Sequence, residues 1–439
     1  METENRLQVG VDVGMNQVHL ALLAPDGKIL LKHRSFTNSV VGYGQVRELL
    51  LEVMRAHAME GVDLAAEATS YYWLPFFCQL AQDPLLAAFQ PRELLLNATW
   101  VKWYRKSLSP DHKSDRSDPF YIGDHLRSLA DKHWWQLDEH WLSLRFRTRL
   151  HAHLAKSLAR EKSYYQLILF LNYSAYAQAE PFSDTFGVLS QTLLNDPQRL
   201  EKLCQLPDLE LCARLDRLSG HRLPNPLHTA LRLKQALQDS FPVPAGLRTP
   251  LQDTLQRLAR LIQTLQEQIH TLDAEILALV QEGYPEVAHL RSVPGVGPVT
   301  ACGVAAEIAD LHHFETPLKW NPHHNAYGPR TLQDVEDAVA KFAGLWWPQN
   351  ASGNFDAEDR PLSRRGNAYL RYYLTQAADH MRRVIPSYAS YYHRKFAEAT
   401  KHRHKRALVL TARKAVALFV GLLHHQEDYR PQEGLLKSS

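Results

Sequence analysis

Four acidic residues stand where carboxylates could do metal chemistry. Asp12 interrupts an alternation of valine and glycine, and Glu67 ends an apolar run. Asp115 and Asp118 follow in KSDRSDPFYIGDHL, three residues apart, so a helix beginning there would put both on one face. Converging carboxylates can hold two divalent ions about 3.5 to 4 Å apart for phosphoryl transfer. Together the acids predict a Mg²⁺ or Mn²⁺ site, although each one alone is typical of a solvated or capping residue.

The segments around these acids indicate an α/β domain. Alternation over residues 9–13 predicts a strand, and apolar runs at 19–24 and 28–34 flank a Pro-Asp-Gly turn, which predicts a hairpin. A helix over 44–57, a strand over 62–66, a helix near 73–81 and a strand at 93–97 follow. The resulting β-β-β-α-β-α-β order is typical of a ribonuclease H-like domain. Periodicity alone does not separate it from other α/β folds.

The middle of the chain is predicted to be mainly helical, from about residue 121 to 270. Apolar residues then alternate at spacings of four and three, which predicts a coiled coil or a helical hairpin arm and favours association of two copies: Leu251, Leu255, Leu258, Ile262, Leu265, Ile269, Leu272, Ile276 and Leu279. A single buried amphipathic helix would show a similar stripe. Further on, LRSVPGVGPVTACGVAAEIADL resembles a helix-hairpin-helix, whose glycine turn would let backbone amides approach a phosphate.

Length and composition bound the class of protein. A chain of 439 residues predicts two or three domains, which we set at 1–165, 166–287 and 288–439. The start lacks a signal-peptide pattern, and the late apolar run is broken by Arg413 and Lys414, so we expect a cytoplasmic protein without a membrane span. The 4 cysteines are scattered without a CxxC pair, which argues against disulfides and structural zinc.

Basic residues concentrate towards the carboxyl end. Residues 364–414 contain thirteen lysines and arginines against two acids, although the net charge of the whole chain is only +3. Such an excess is typical of phosphate binding, and also of an ordinary solvated helix face. WVKWYRKS and residues 369–373 mix basic and aromatic side chains, which suits contact with phosphates and stacking on bases. A single aromatic residue of this kind is more often part of a core.

Five segments in sequence order carry a resemblance to a known family: VGVDVGMNQVHLAL, AAEATSYYW, LNATWVKWYRKS with KSDRSDP, PGVGPVTACGVAAEIAD and LSRRGNAYLRYYLTQAA. They resemble the DEDD transposases of insertion sequences, which are relatives of the Piv DNA invertases. The amino-terminal domain of that family is similar to the RuvC Holliday-junction resolvase. The resemblance therefore implies a RuvC-like, RNase H-like catalytic domain, a helical and coiled-coil region, and a mainly helical serine transposase domain.

The resemblance also implies roles for particular residues and partners. The family's four acids correspond to Asp12, Glu67, Asp115 and Asp118, and its nucleophilic serine to Ser352 in QNASGNF. The implied partners are donor and target DNA, a structured non-coding guide (bridge) RNA, and further copies of the chain in a dimer or tetramer at the nucleoid of a bacterium or archaeon. Nucleic-acid contacts are expected from seven basic residues: Lys102, Arg105, Lys106, Lys113, Arg364, Arg365 and Arg371.

Two segments depart from the family pattern, and three other functions remain open. The link between Glu315 and Val339 and the helical region over 163–250 are longer than usual. A sugar-kinase or actin-like ATPase would also open with VDVG and a hairpin, but its second phosphate loop is not found. A nuclease or resolvase that only hydrolyses, and a non-catalytic scaffold, are the remaining alternatives.

Overall fold

The structure is a computed structural model. It describes residues 5–109, 116–129, 132, 134–281, 283–315, 319–321, 326–348, 351–352, 355–356, 360–363 and 365–431. These residues form two compact units. One contains the described residues of Met1–Glu139 and His312–Arg330, and the other those of His140–Leu311 and Thr331–Ser439. The division into three domains expected from the sequence stays a prediction.

The first part of the chain follows the predicted order of strands and helices. Its elements are β1 (Arg6–Val13), β2 (Gln17–Leu23), β3 (Ile29–Thr37), α1 (Val40–Ala56), β4 (Gly61–Glu67), α2 (Trp73–Ala81), β5 (Arg92–Leu96), α3 (Ala98–Leu108) and α4 (Asp118–Ser128). The strands form one sheet in the order β3-β2-β1-β4-β5. β1, β2 and β3 are antiparallel neighbours, whereas β4 and β5 run parallel to β1. The predicted amino-terminal α/β domain is confirmed as a mixed five-stranded sheet with helices.

Helices cover both faces of this sheet, and alternate residues along each strand point to opposite faces. On one face, Val9 and Leu64 pack in a core with α1 and α2, represented by Leu50 and Phe77. On the other face, Ala65, Leu94 and Leu96 pack with Val101 of α3 and with Ile122 and Leu126 of α4. Because successive strand residues point to opposite sides, neighbouring residues such as Leu64 and Ala65 belong to different cores.

The rest of the chain is mainly helical, as predicted. Its helices are α5 (Glu139–Asn172), α6 (Tyr176–Ala179), α7 (Val188–Leu194), α8 (Pro197–Cys204), α9 (Asp208–Leu218), α10 (Pro226–Gln238), α11 (Ala245–Leu279), α12 (Pro285–Arg291), α13 (Pro298–Ile308), α14 (His312–Glu315), α15 (Leu332–Phe342), α16 (Ala368–Val384), α17 (Pro386–Glu398) and α18 (Arg403–His425). Two short antiparallel sheets of two strands each are formed by β6 (Lys319–Asn321) with β7 (Ala326–Gly328) and by β8 (Ala351–Ser352) with β9 (Phe355–Asp356).

The predicted long helix is confirmed as α11. Part of its apolar stripe is buried within the same unit: Leu255, Leu258 and Ile262 pack in a cluster with Tyr165 and Ile168 of α5. Heptad spacing does not distinguish this internal packing from packing on a second copy, and the expected oligomer stays a prediction.

The glycine turn between α12 and α13 has a packing role. Gly295 has a φ of +86°, and a Cβ there would lie 3.0 Å from backbone atoms of His380 and Met381. The turn therefore needs glycine for its close approach to α16 and for its backbone conformation. The phosphate contact expected of this turn stays a prediction.

One described helix, α18, is long and apolar enough to cross a membrane by length and composition, contrary to the expectation based on Arg413 and Lys414. Half of its most apolar stretch of 18 residues is buried inside the protein. Ala415, Phe419 and Val420 are fully or almost fully buried. This is the pattern of a core helix with one packed side.

Candidate active site and nucleic-acid surface

Asp12 and Glu67 lie side by side at the carboxyl ends of two central strands. The parallel pairing of β1 with β4 brings Gly10 opposite Ala65 and Val11 opposite Ala66, so the next position along puts Asp12 beside Glu67. Neighbouring strands are about 4.8 Å apart, and residues in register share a face. Gly10 and Ala65, two residues earlier on each strand, are on the face covered by α4. Both carboxylates therefore project to the side where α4 begins.

Helix α4 approaches β1 unusually closely, through glycine. A Cβ at Gly10 would lie 1.8 Å from the carbonyl oxygen of Pro119, and one at Gly123 would lie 2.9 Å from the amide nitrogen of Gly10. Only two residues without side chains permit this contact between backbones. The helix begins at Asp118, with proline in its first turn. Asp118 is thus held next to Gly10, on the face of the sheet that carries Asp12.

The carboxylate of Asp118 is paired with a cation of the neighbouring helix. Arg105 Nη1 of α3 donates to Asp118 Oδ1 at 2.8 Å, and both side chains are mostly buried. Close by, the Tyr104 hydroxyl donates to Asp124 Oδ2 at 2.6 Å, which ties α3 to α4 a second time. Burial, followed by this hydrogen bond, raises the pKa of Tyr104. The carboxylate of Asp118 therefore already has a positively charged partner, Arg105.

A histidine pair that the sequence reasoning missed lies on the same face. His19 of β2 is directly opposite Asp12 in the antiparallel register, and its Nδ1 is 3.1 Å from Nε2 of His33. Burial, and then repulsion by His19 and Arg116, lowers the pKa of His33. The alternation of β2 could have revealed that His19 shares a face with its apolar neighbours, but not that this face carries Asp12.

The residues brought together suit a hard divalent cation. Carboxylate oxygens are the ligands that Mg²⁺ and Mn²⁺ prefer, and Asp12, Glu67 and Asp118 supply them from one face. Among the described residues, no group of three or more histidine, cysteine or acidic side chains is already arranged around a common ion position. The predicted fourth acid, Asp115, lies outside the described residues. The complete four-acid site therefore stays a prediction.

Ser352 ends the short strand β8. It pairs with Phe355 of β9 in antiparallel register. The two residues between them, Gly353 and Asn354, lie outside the described residues. Ser352 belongs to the second unit and the acids to the first. Its predicted role as a nucleophile stays a prediction.

The seven basic residues expected to bind nucleic acid have different surroundings. Lys102, Lys106 and Arg365 are exposed, and Arg105 is paired with Asp118. Arg371 donates from Nη1 to the carbonyl oxygen of Ala343 at 2.9 Å, at the end of α15. Lys113 and Arg364 lie outside the described residues. The expected nucleic-acid contacts of all seven stay predictions.

A buried ion pair that the sequence reasoning missed supports the basic carboxyl-terminal segment. Glu307 is 3% exposed, and Arg149 donates to both of its oxygens, at 2.6 and 2.7 Å. Asn367 donates to the same carboxylate at 2.6 Å while its side-chain oxygen caps α16. Arg149 also lies over the ring of Tyr369. The asparagine of RGNAYLR therefore fixes the start of α16 to α5 and α13.

Comparison with known families agrees with this arrangement. A family model described as "Transposase", of the DEDD type, matches residues 9–171. A second model, "Transposase IS116/IS110/IS902 family", matches residues 287–321 and 331–393. The first match contains most of the sheet and its acids, and the second contains the α12–α13 turn and the RGNAYLR segment. Together the two models match more than half of the chain.

Two bacterial proteins illustrate the relationship. A "Probable family 20 transposase" of Pseudomonas aeruginosa is 30% identical over 135 residues, which is 31% of this chain and 34% of that protein. The "Transposase for insertion sequence element IS1111A" of Coxiella burnetii is 27% identical over 181 residues, 40% of this chain and 44% of that protein. The matched regions thus span less than half the length of either relative.

The fold and site together are consistent with an RNase H-like domain that carries acids at the ends of its central strands. With the two family matches, this chain belongs to the IS110 family of transposases, of the DEDD type found in insertion sequences.

Proposed function

We propose that this protein is a transposase that cuts, exchanges and rejoins DNA strands, using a RuvC-like acid centre and a serine nucleophile. The observation that carries the proposal is the placement of Asp12 beside Glu67 on the face where Asp118 begins α4. Family membership supports the same activity. It also supports an intracellular location on bacterial or archaeal DNA.

Asp12, Glu67, Asp115 and Asp118 would hold Mg²⁺ or Mn²⁺. When bound there, the metal would assist removal of a proton from the attacking oxygen and stabilise charge on the leaving one. The carboxylates' own task is to fix the ion against the scissile phosphate. The close contact between α4 and β1 supports this task, because it holds two of the ligands on one rigid framework.

Ser352 would supply the attacking oxygen. Its Oγ forms a bond to phosphorus while the bond from phosphorus to the departing DNA oxygen breaks, and that oxygen leaves as a hydroxyl. The hydroxyl of the exchanged strand then attacks the phosphoserine and restores Ser352. The covalent step conserves the energy of the phosphodiester, so resealing needs no nucleotide cofactor.

Basic residues would hold the nucleic acids during this exchange. Lys102, Arg105, Lys106 and Lys113 belong to the segment between β5 and α4, and Arg364, Arg365 and Arg371 follow the serine motif. A structured guide RNA that pairs with donor and target DNA would choose the sites, and a dimer or tetramer would bring two strands together. The resemblance to DEDD transposases supports these partners, and RNA that co-purifies with the chain would identify the guide.

The test is recombination between donor and target plasmids in the presence of Mg²⁺. We expect Ser352→Ala to lose both the protein–DNA adduct and the recombined product, and Asp12→Asn to lose cleavage. Ser390→Ala is the matched control, because Ser390 is exposed on α17. Full recombination by Ser352→Ala would refute the nucleophile. Hydrolysed ends without rejoining in the wild-type protein would instead favour a resolvase-like nuclease, which the acid placement alone could support.

A further inference from the structure

Two tryptophans on α3 are exposed to an unusual degree. Trp100 and Trp103 have 55% and 54% of their surface accessible. They are the only tryptophans more than half exposed among those whose side chains the structure describes. Tryptophan is normally largely buried because of its large apolar area. Two such side chains on one short helix therefore call for a ligand rather than for a place in the core.

The two indoles share a face of α3 with positive charge. Positions three and four apart are neighbours on a helix, so Trp100 lies next to Trp103, and the exposed Lys102 and Lys106 run along the other side of Trp103. The opposite side of the helix is the packed one, where Val101 is 3% exposed. No acidic residue occurs in α3, whose sequence is ATWVKWYRKSL. The outer face is thus both aromatic and cationic.

This face lies next to the acid site in the same unit. One residue, Asn97, separates β5 from α3, and the last residue of β5, Leu96, is paired with Glu67 of β4. Asn97 caps α3 at this edge of the sheet. Along the helix, Arg105 reaches Asp118. Contacts at both ends therefore attach α3 to the strands and helix that carry the acids.

We infer that Trp100 and Trp103 form a stacking platform for unpaired bases of the DNA strand beside the scissile phosphate, with Lys102 and Lys106 on its backbone. The inference rests on the proposed function and adds to it a binding site for single-stranded DNA. Aromatic rings flanked by cations suit a nucleic acid, whereas the core of a protein interface is depleted in lysine. Base faces become available only where the strand is unpaired, as it must be when strands are exchanged.

The test compares binding of fluorescently labelled oligonucleotides by the full chain and by Trp100→Ala/Trp103→Ala. The oligonucleotides are single-stranded DNA, the same sequence as a duplex, and single-stranded RNA. Stacking on one base contributes about 5- to 150-fold in affinity, so we expect the double variant to bind single-stranded DNA at least about tenfold more weakly. Duplex binding should change little, and Trp100→Phe/Trp103→Phe should restore most of the affinity.

Two further readouts make the result specific. Phe241→Ala is the matched control, because Phe241 is an aromatic residue with 80% exposure in the other unit, and its affinities should equal those of the wild type. Quenching of tryptophan fluorescence by single-stranded DNA should disappear in the alanine double variant. Since both indoles are exposed, its thermal unfolding should match that of the wild type.

Unchanged binding of single-stranded DNA by the alanine double variant would overturn the inference. A loss confined to RNA, an equal loss for duplex and single strand, or a change in oligomeric mass without a change in DNA affinity would overturn it as well. The last of these would assign the face to a protein partner. A wild-type chain that binds none of the oligonucleotides would instead contradict the proposed function.

Discussion

Replacing Gly10 with alanine should push the start of α4 away from β1 and separate the acids. The new Cβ would lie 1.8 Å from the carbonyl oxygen of Pro119 and 2.4 Å from the amide nitrogen of Gly123. Ordinary contact begins near 3.4 Å, so α4 would have to move outward by about 1.6 Å, the difference between 3.4 and 1.8 Å. Asp118 begins that helix and would move with it.

The size of the destabilisation depends on which atoms the new Cβ would meet. Overpacking a core costs about 1 to 3 kcal/mol, and the upper part of that range applies because backbone atoms cannot rotate out of the way. Metal–oxygen distances tolerate deviations of only about 0.2 Å. A displacement several times larger would remove Asp118 from a shared ion while leaving Asp12 and Glu67 in register.

The assays are thermal unfolding and Mn²⁺-dependent DNA cleavage. We expect Gly10→Ala to melt at a lower temperature and to lose cleavage by at least about 100-fold, the loss typical of a misplaced catalytic group. The control is Gly44→Ala in α1, where a Cβ meets nothing within 4 Å. It should cleave normally and be more stable by about 0.5 to 1 kcal/mol. Wild-type melting and cleavage by Gly10→Ala would refute the packing argument.

Three further predictions concern charged groups. Burial raises the pKa of Glu93 to about 7 from its ordinary 4.5, so stability should be full below pH 4.5 and fall by about 3 kcal/mol as the pH rises to 7. In urea unfolding, the free energy of unfolding of Glu93→Gln should depend less on pH than that of the wild type. An unchanged pH dependence would contradict this prediction. Arg149→Met leaves the Glu307 carboxylate buried without its cation and should lower the free energy of unfolding by about 3 to 5 kcal/mol. The control, Arg160→Ala, breaks an ion pair of an exposed arginine on the same helix and should lower it by less than about 1 kcal/mol. Arg105→Gln should raise the affinity for Mn²⁺ several-fold in calorimetry, because a competing cation leaves the first carboxylate of α4; equal or weaker binding would refute this competition.

The sequence was most informative where a local pattern decides the structure. Alternation and turn residues predicted the order of strands and helices along the first part of the chain. The placement of Asp12 and Glu67 at the ends of apolar runs led us to expect them in one site. The parallel pairing of β1 with β4, which the pattern did not predict, is what brings the ends of these two strands to the same edge of the sheet. The single long helix α11 followed from its unbroken spacing.

Contacts between distant segments could not be predicted in this way. Nothing in the sequence near Gly10 indicates that Pro119 lies against it. The sequence alone also suggests that Arg105 is a solvent-exposed cation, whereas the packing of α3 on α4 pairs it with Asp118. The buried Glu307 depends on Arg149, which is 158 residues away in the chain. The exposure of Trp103 could not be predicted either, because an aromatic residue on an amphipathic helix usually faces a core.

Anomalous scattering from a crystal of the full chain soaked in Mn²⁺ tests the central claim most directly. We predict a manganese peak about 2.0 to 2.3 Å from carboxylate oxygens of Asp12, Glu67 and Asp118, with Arg105 displaced from Asp118, and no such peak for Asp12→Asn. A peak elsewhere, or a Mn²⁺-saturated protein in which these three carboxylates share no ion, would contradict the account.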